Sequence, residues 1–307
     1  MTAPITPPRL QVGVISAGRV GTALGEALAA AGHPVIAVHA RSAASRERAA
    51  RRLPSASLAD IPTVTARSDL LVLAVPDTEL AGVAQTVAAT VRPGQIVLHT
   101  AGAHGVSVLE PVTRAGALPL AVHPAMTFVG SGEDTVRLAS SCFGITSADE
   151  VGDAVAAALV LELGGTPVRI AEDRRTLYHA ALAHGANNLI ALITDAVTAL
   201  EAAIDTAAID TAATVDAAPA SSAPAGLAAE LLAPLARASL ENVLAMGPSA
   251  LTGPVARGDA AAVAGHLEAL AALPDPGIVG GYRTLAARAA AQSGAPGAVT
   301  DVLEVSA

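Results

Sequence analysis

The stretch "LQVGVISAGRVGTALGEALAAAG", residues 10–32, decides the fold. It opens as an apolar β-rich run, breaks at a turn of small residues and continues with helical spacing. Against the pattern G-x-G-x-x-G, the spacing of a dinucleotide-binding turn, its key positions are Ser16, Gly18 and Gly21. Gly18 lets the backbone approach a pyrophosphate, and Gly21 lets helix and strand pack closely. The helix N-terminus adds free N–H groups and positive dipole character. Ser16 stands where the first glycine is expected, and costs about 1–3 kcal/mol only if that position needs a glycine-type backbone. The candidate cradle is therefore Ser16, Ala17, Gly18, Arg19, Val20 and Gly21.

Working outward, "PVIAVHA", "DLLVLAV", "QIVLH" and "LPLAVH" repeat the apolar strand pattern, with helical stretches between them. Near-continuous apolar strands alternating with helices predict an α/β fold with a doubly wound, mostly parallel sheet. "SCFGIT" and "TPVRI" flank a further helix and extend this domain to residue 171. Residues 172–307 read as an all-helical C-terminal domain, with helices over roughly 173–201, 225–246, 259–272 and 279–293. The segment 202–226 holds a DTAA-type repeat running into Pro, Ser and Ala, and reads as a surface insertion without chemistry.

Composition narrows the function. Hydrophobic residues make up 52% of the 307 but aromatics only 1%, so Ala, Val and Leu must fill the interior. A net charge of −9 leaves no basic stripe to replace phosphate counterions, which argues against nucleic acid as a partner. The lone Cys142 excludes an intrachain disulfide and a cysteine-rich metal site, and is expected to pack as a small hydrophobe in a strand. "MTAPITPPRL" lacks the charged start and apolar core of a signal peptide, and the most apolar long helix carries two His, two Asn and an Asp. A cytoplasmic protein without membrane contact is expected. All eighteen Lys+Arg residues are Arg, so any mechanism requiring a lysine is excluded.

The second strand ends "AVHARS", with no acid to hold ribose hydroxyls but with Arg41 and Ser42, which suit a ribose 2′-phosphate. NADP is thus expected rather than NAD; the competing reading is a solvated Arg opening a basic helix with Arg46, Arg48, Arg51 and Arg52. Val75 and Pro76 in "AVPD" and Thr100 in "HTAG" complete the expected cofactor contacts. Five of the eight His lie between residues 99 and 184. In an open parallel sheet, ligands bind beyond the carboxyl ends of strands. His99 and Gly102 are accordingly placed beside substrate, and His123, His179 and His184 are candidate proton donors. For any one of them alone, a hydrogen-bonded, partly buried imidazole is the competing reading. No H-x-x-x-H or H-E-x-x-H spacing occurs, and no metal is expected. "GPSALTGPVARGD", residues 247–259, reads as a rigid polar loop in which Asp259 caps a helix and Arg257 meets an anionic substrate.

"AGRVGTAL", "AVPD", "HTAG", "HPAMTF", "YHAALAHGANN" and "ALTGPVARGD" occur in an order that resembles the Rossmann-like proteins carrying domain of unknown function 2520. That family resembles the wider 6-phosphogluconate dehydrogenase C-terminal-like group, which includes ketopantoate reductases and pyrroline-5-carboxylate reductases. The resemblance implies an N-terminal NAD(P) domain, a helical C-terminal domain and a homodimer built from the helical part. Hydroxyacid dehydrogenases of the group place a lysine one helical turn before an Asn; here "HGANN" offers His184 before Asn188. The resemblance also implies that Asn187 orients a carbonyl or the nicotinamide carboxamide, and that Thr252 and Arg257 sit in a substrate loop. Two functions follow: an NADP-dependent oxidoreductase reducing a small keto or imino carboxylate, with a ketopantoate reductase-like substrate as a candidate, or a non-catalytic NADP(H) sensor. A structural dimer scaffold is the third reading.

Overall fold

The computed structural model describes residues 9–204 and 224–304. Its contacts divide the chain into two compact units, Met1–His184 and Gly185–Ala307. The boundary expected after residue 171 precedes a long helix, Arg175–Ala203, inside which this division falls. Most of the expected insertion at 202–226 lies outside the described residues.

The first unit is built on eight strands: β1 (Val12–Ile15), β2 (Val35–His39), β3 (Ser57–Leu58), β4 (Leu70–Leu73), β5 (Ile96–His99), β6 (Leu118–Pro124), β7 (Cys142–Ser147) and β8 (Thr166–Arg169). Their order in the sheet is β3-β2-β1-β4-β5-β6-β7-β8. β1 to β6 run parallel, β7 pairs antiparallel with β6, and β8 runs parallel to β7. This is the mostly parallel, doubly wound sheet expected, and its order reverses between β1 and β4, where such sheets open a crevice.

Helices α1 (Arg19–Ala30), α2 (Ala43–Arg52), α3 (Ile61–Arg67), α4 (Asp77–Ala88), α5 (Glu110–Arg114), α6 (Glu133–Leu138) and α7 (Glu150–Glu162) intervene, and α8 (Arg175–Ala203) follows β8. Alternation along the strands buries both faces. Val12, Val14, Leu70 and Val72 join one core cluster with Ala23 and Leu24 of α1. Ile15, Leu71 and Leu73 join the other with Leu80 and Ala84 of α4. Fully burying each Leu contributes about 2 kcal/mol. The short β3, α3 and α6 have no counterpart in the apolar pattern, being too brief to show a period. Cys142 does lie in a strand, but its side chain is exposed, which corrects its expected burial.

At the opening turn, a Cβ added to Gly21 would lie 2.1 Å from the Ser16 carbonyl oxygen and 3.1 Å from Ala74 Cβ. Only glycine permits α1 to lie so close to β1. Ser16 has φ +79°, the one positive φ outside glycine among the described residues. The backbone there is the left-handed form that glycine adopts without strain, and serine holds it at a cost.

The second unit is helical: α9 (Pro224–Met246), α10 (Pro254–Arg257), α11 (Ala260–Ala271), α12 (Pro276–Ser293) and α13 (Gly297–Glu304). Its core gathers Val263, Leu267, Ala286, Ala290, Val299 and Leu303. Asp259 caps α11 by accepting from Ala262 N–H at 3.0 Å, as expected. The 247–259 stretch is less irregular than expected: it holds a 3-10 turn, Gly247–Ala250, and the short α10. Among the described residues, no helix is long and apolar enough to cross a membrane.

Ser16→Gly is expected to stabilise the protein by about 0.5–1 kcal/mol by relieving the left-handed serine. Urea denaturation should show a higher midpoint with an unchanged slope; an equal or lower midpoint would mean the turn carries no strain.

Candidate functional site

Two hollows adjoin at the crevice and share Ser16, Gly18, Val75 and Pro76. The larger, about 530 Å³, is walled by Arg19, Val20, Asp77, Thr100, Gly102, His123 and His179 among others. The smaller, about 310 Å³, is walled by His39, Arg41, Ser42, Ser45, Arg48 and Glu79 among others. The turn between them is open to an anion. Gly18 is the N-cap of α1 and offers no side-chain cap, so the first N–H groups of the helix keep no partner from that side. A Cβ on Gly18 would meet only Ser16 Oγ, at 3.6 Å. α4 also starts here, but it carries Asp77 and Glu79 in its first turn, so its dipole is already matched by its own acids.

In the smaller hollow Arg41 does not stand free. Its Nη2 donates to Glu79 Oε1 at 2.6 Å, with the Arg41 side chain 70% exposed. Ser42 caps α2, accepting from Ser45 N–H at 3.1 Å and donating to Ser45 Oγ at 2.9 Å. Arg48 Nη1 donates to the Ala17 carbonyl at 3.0 Å and so bridges α2 to the turn. In the sequence Arg48 enters only the competing reading, as part of a basic helix, and neither Ser45 nor Glu79 stands out. Helical spacing was the available signal, since residues 41, 45 and 48 fall on one side of a helix start.

In the larger hollow the structure brings together His123 from β6 and His179 from α8, with ring centroids 6.0 Å apart. Gly102 makes room for both: a Cβ there would lie 2.6 Å from His179 Cδ2 and 3.0 Å from His123 Nε2. Behind them stand two residues that sequence reasoning missed. Tyr178 Oη lies 2.9 Å from His123 Nδ1. Arg175 is 1% exposed; its Nε donates to Thr146 Oγ1 at 2.7 Å and its Nη2 to the carbonyls of Ala121 (3.0 Å) and Gly144 (3.1 Å). Among the described residues no carboxylate forms an ion pair with it, the Glu172 charge acts on it from a distance, and Nη1 has no hydrogen-bond partner.

His99 corrects the expectation that it meets substrate. It is fully buried, its Nε2–H donates to the Gly105 carbonyl at 2.8 Å, and its Nδ1 accepts from Ala101 N–H at 3.2 Å. Both nitrogens serve the loop after β5, and burial pulls its pKa down to about 4. His184 lines neither hollow. Asn187, Thr252 and Arg257 belong to the second unit, where Arg257 Nη1 donates to the Thr252 carbonyl at 2.5 Å. Among the described residues, no group of three or more His, Cys, Asp or Glu is arranged to hold a metal ion.

Electrostatics set the protonation state of His123. Burial first, then the Arg175 charge, then His179, pull its pKa down to about 4. It is therefore a neutral imidazole at neutral pH. Burial raises the Tyr178 pKa while Arg175 opposes that rise.

An open, doubly wound sheet whose first turn presents an uncapped helix N-terminus at the crevice defines a Rossmann-type domain. Residues 1–124 match the Rossmann-like domain and residues 141–289 the Domain of unknown function (DUF2520). The two matches follow one another along the chain and together span most of it. No curated protein matches its sequence. Among solved structures it is similar to a Bacteroides fragilis protein provisionally assigned as an NADP oxidoreductase, with 21% identity and a TM-score of 0.72 over 92% of this chain and 98% of that one. It is also similar to a reductive aminase from Aspergillus terreus in complex with NADPH4, cyclohexanone and allyl amine (17%, 0.62, 95% and 98%). A pyrroline-5-carboxylate reductase from Coxiella burnetii is a third (17%, 0.55, 98% and 100%). These likenesses establish the fold.

The buried imidazoles set an acid limit. His99 and His123 hold pKa values of about 4 against 6.5 for a free imidazole, so between those values the unfolded chain binds more protons. Their contribution is complete above pH 6.5 and is lost as pH falls toward 4, about 3 kcal/mol for His99 alone. Ring-proton NMR of the eight His should show two that stay neutral to near pH 4. Titration of all eight near 6.5 would refute the burial account.

Proposed function

We propose that this protein is an NADPH-dependent reductase of a small keto or imino carboxylate. The observation that carries this reading is the pair of hollows on either side of one anion-ready turn, one walled by Arg41, Ser42, Ser45 and Arg48, the other by two imidazoles. The residues fit the cofactor chemically. N–H groups at the start of α1, with Arg19, hold the pyrophosphate. Arg41, Ser42, Ser45 and Arg48 hold a 2′-phosphate, which competes with Glu79 for the Arg41 guanidinium. When bound, a reduced nicotinamide dinucleotide supplies hydride. The protein's own part is to orient the acceptor beside His123 and His179, to exclude water and to provide a proton. Thr252 and Arg257, in the loop that resembles a substrate loop, are proposed to hold the carboxylate. Asn187 is proposed to orient the reacting group, and His184 stands as a further donor candidate. The similar structures that carry reductase names and NADPH support this reading.

The reading includes a homodimer formed through the helical part. α8 and α9 expose large apolar side chains, among them Ile190 (61%), Leu231 (55%), Leu235 (65%) and Leu244 (79%). Such surface favours a partner that covers it.

Titration of NADPH and NADH by cofactor fluorescence should show tighter binding of NADPH. Arg41→Ala should weaken NADPH about tenfold or more and leave NADH nearly unchanged; equal losses would refute the 2′-phosphate assignment. Loss of NADPH absorbance on adding 2-keto acids or cyclic imines would identify the acceptor. Tight NADPH binding with no turnover across a broad panel would instead favour the sensor. Sedimentation velocity should show a dimer that Leu235→Arg dissociates; a wild-type monomer would overturn that part.

A further inference from the structure

A chain without lysine, whose pocket imidazole is neutral, still has to deliver a proton. We propose that Tyr178 is the source, passing its hydroxyl proton to His123 Nδ1 as the Nε2 proton of His123 moves to the oxygen or nitrogen of a bound acceptor. This rests on the reductase reading above and adds the route of the proton.

The geometry supplies each link. Tyr178 Oη is 2.9 Å from His123 Nδ1. Gly144, the register partner of His123 across β6 and β7, lets the phenol in: a Cβ there would lie 2.6 Å from Tyr178 Oη. The other ring nitrogen, Nε2, faces Gly102, and both residues are walls of the larger hollow. A phenol that donates to Nδ1 fixes the Nε2–H tautomer, so the N–H points at the cavity.

The charges favour that direction. The Arg175 guanidinium carbon lies 5.7 Å from the Tyr178 ring centroid. A buried cation with no carboxylate in contact stabilises negative charge developing on the phenol oxygen, and it disfavours a lasting imidazolium at His123. The other titratable groups acting here are His179 beside His123, Cys142 near Tyr178, and Glu172, whose charge acts on Arg175.

The balance closes. A reduced nicotinamide cofactor, when bound, would supply the hydride for the carbon of the C=O or C=N group. An O–H or N–H bond forms on the acceptor as the Nε2–H bond breaks. A new Nδ1–H bond forms as the Tyr178 O–H bond breaks, leaving a neutral imidazole and a phenolate beside Arg175. A solvent proton then adds to Nε2 from the hollow as the Nδ1 proton returns to the phenolate, which restores both the phenol and the first tautomer. Tyr178 acts through His123 and does not itself touch the acceptor.

The test is Tyr178→Phe, which keeps the ring against Gly144 and Arg175. In nitrogen-15 spectra of the apo protein, wild-type His123 should carry its proton on Nε2, and the variant should show a mixture of tautomers. With NADPH and an acceptor, kcat should fall about 10²-fold while NADPH affinity is unchanged. A proton inventory in mixed H2O and D2O should change from curved, with two protons in flight, to linear. Difluorotyrosine at the two Tyr positions should shift the alkaline limb of the rate profile downward even if the Phe variant folds poorly. A wild-type Nδ1–H tautomer, or a Tyr178→Phe enzyme as fast as wild type, would overturn the relay alone. Absence of any turnover with NADPH bound would overturn the reductase reading and the relay together.

Discussion

The contact on which the N-terminal unit depends is the approach of Gly21 to the Ser16 carbonyl, where even one added carbon would sit 2.1 Å from oxygen. Because nothing intervenes, α1 starts directly at the carboxyl end of β1, the strand at which the sheet order reverses. The chain reaches that start only by turning Ser16 through a left-handed backbone. Close packing, a strained residue and an uncapped helix end are thus one arrangement. The two hollows lie on its two sides and share its residues.

A second constraint comes from the antiparallel β7. By reversing direction after β6, the chain lays Gly144 opposite His123, and the space above that glycine is filled by the Tyr178 ring. Arg175, one helical turn earlier, is anchored on the carbonyls of the same two strands. The strand reversal therefore sets where the phenol, the imidazole and the cation meet. Local chemistry then separates the histidines. His99 is consumed by its own loop, and His123 is held neutral by burial and by Arg175.

The fold was legible because a parallel sheet buried on both faces writes itself as continuous apolar runs, and because the turn at residues 16–21 has a spacing of its own. His123, His179 and Gly102 were legible as strand-end or motif residues, and the structure brings these three into one wall. His99 had the same strand-end position yet points away, since position along a strand does not fix which neighbour a ring bonds. Tyr178 and Arg175 were not legible. Their importance lies in contacts with residues more than 25 positions away, across strands whose pairing no local pattern reveals. Glu79 was hidden for the same reason, its partner Arg41 lying 38 residues earlier. Ser16 was legible as a departure from glycine, but whether the departure costs anything needed its backbone angle.

The choice of arginine at position 175 has a consequence for constancy. A buried lysine would shed its proton and let the local charge fade, whereas a guanidinium has no accessible neutral form. The pocket's fixed charge therefore does not respond to cellular acidity, and His123 beside it does not ionise until far below neutrality. Arg175 and His123 thus keep one charge state each across the physiological range, the opposite of a pH sensor built from the same kinds of side chain.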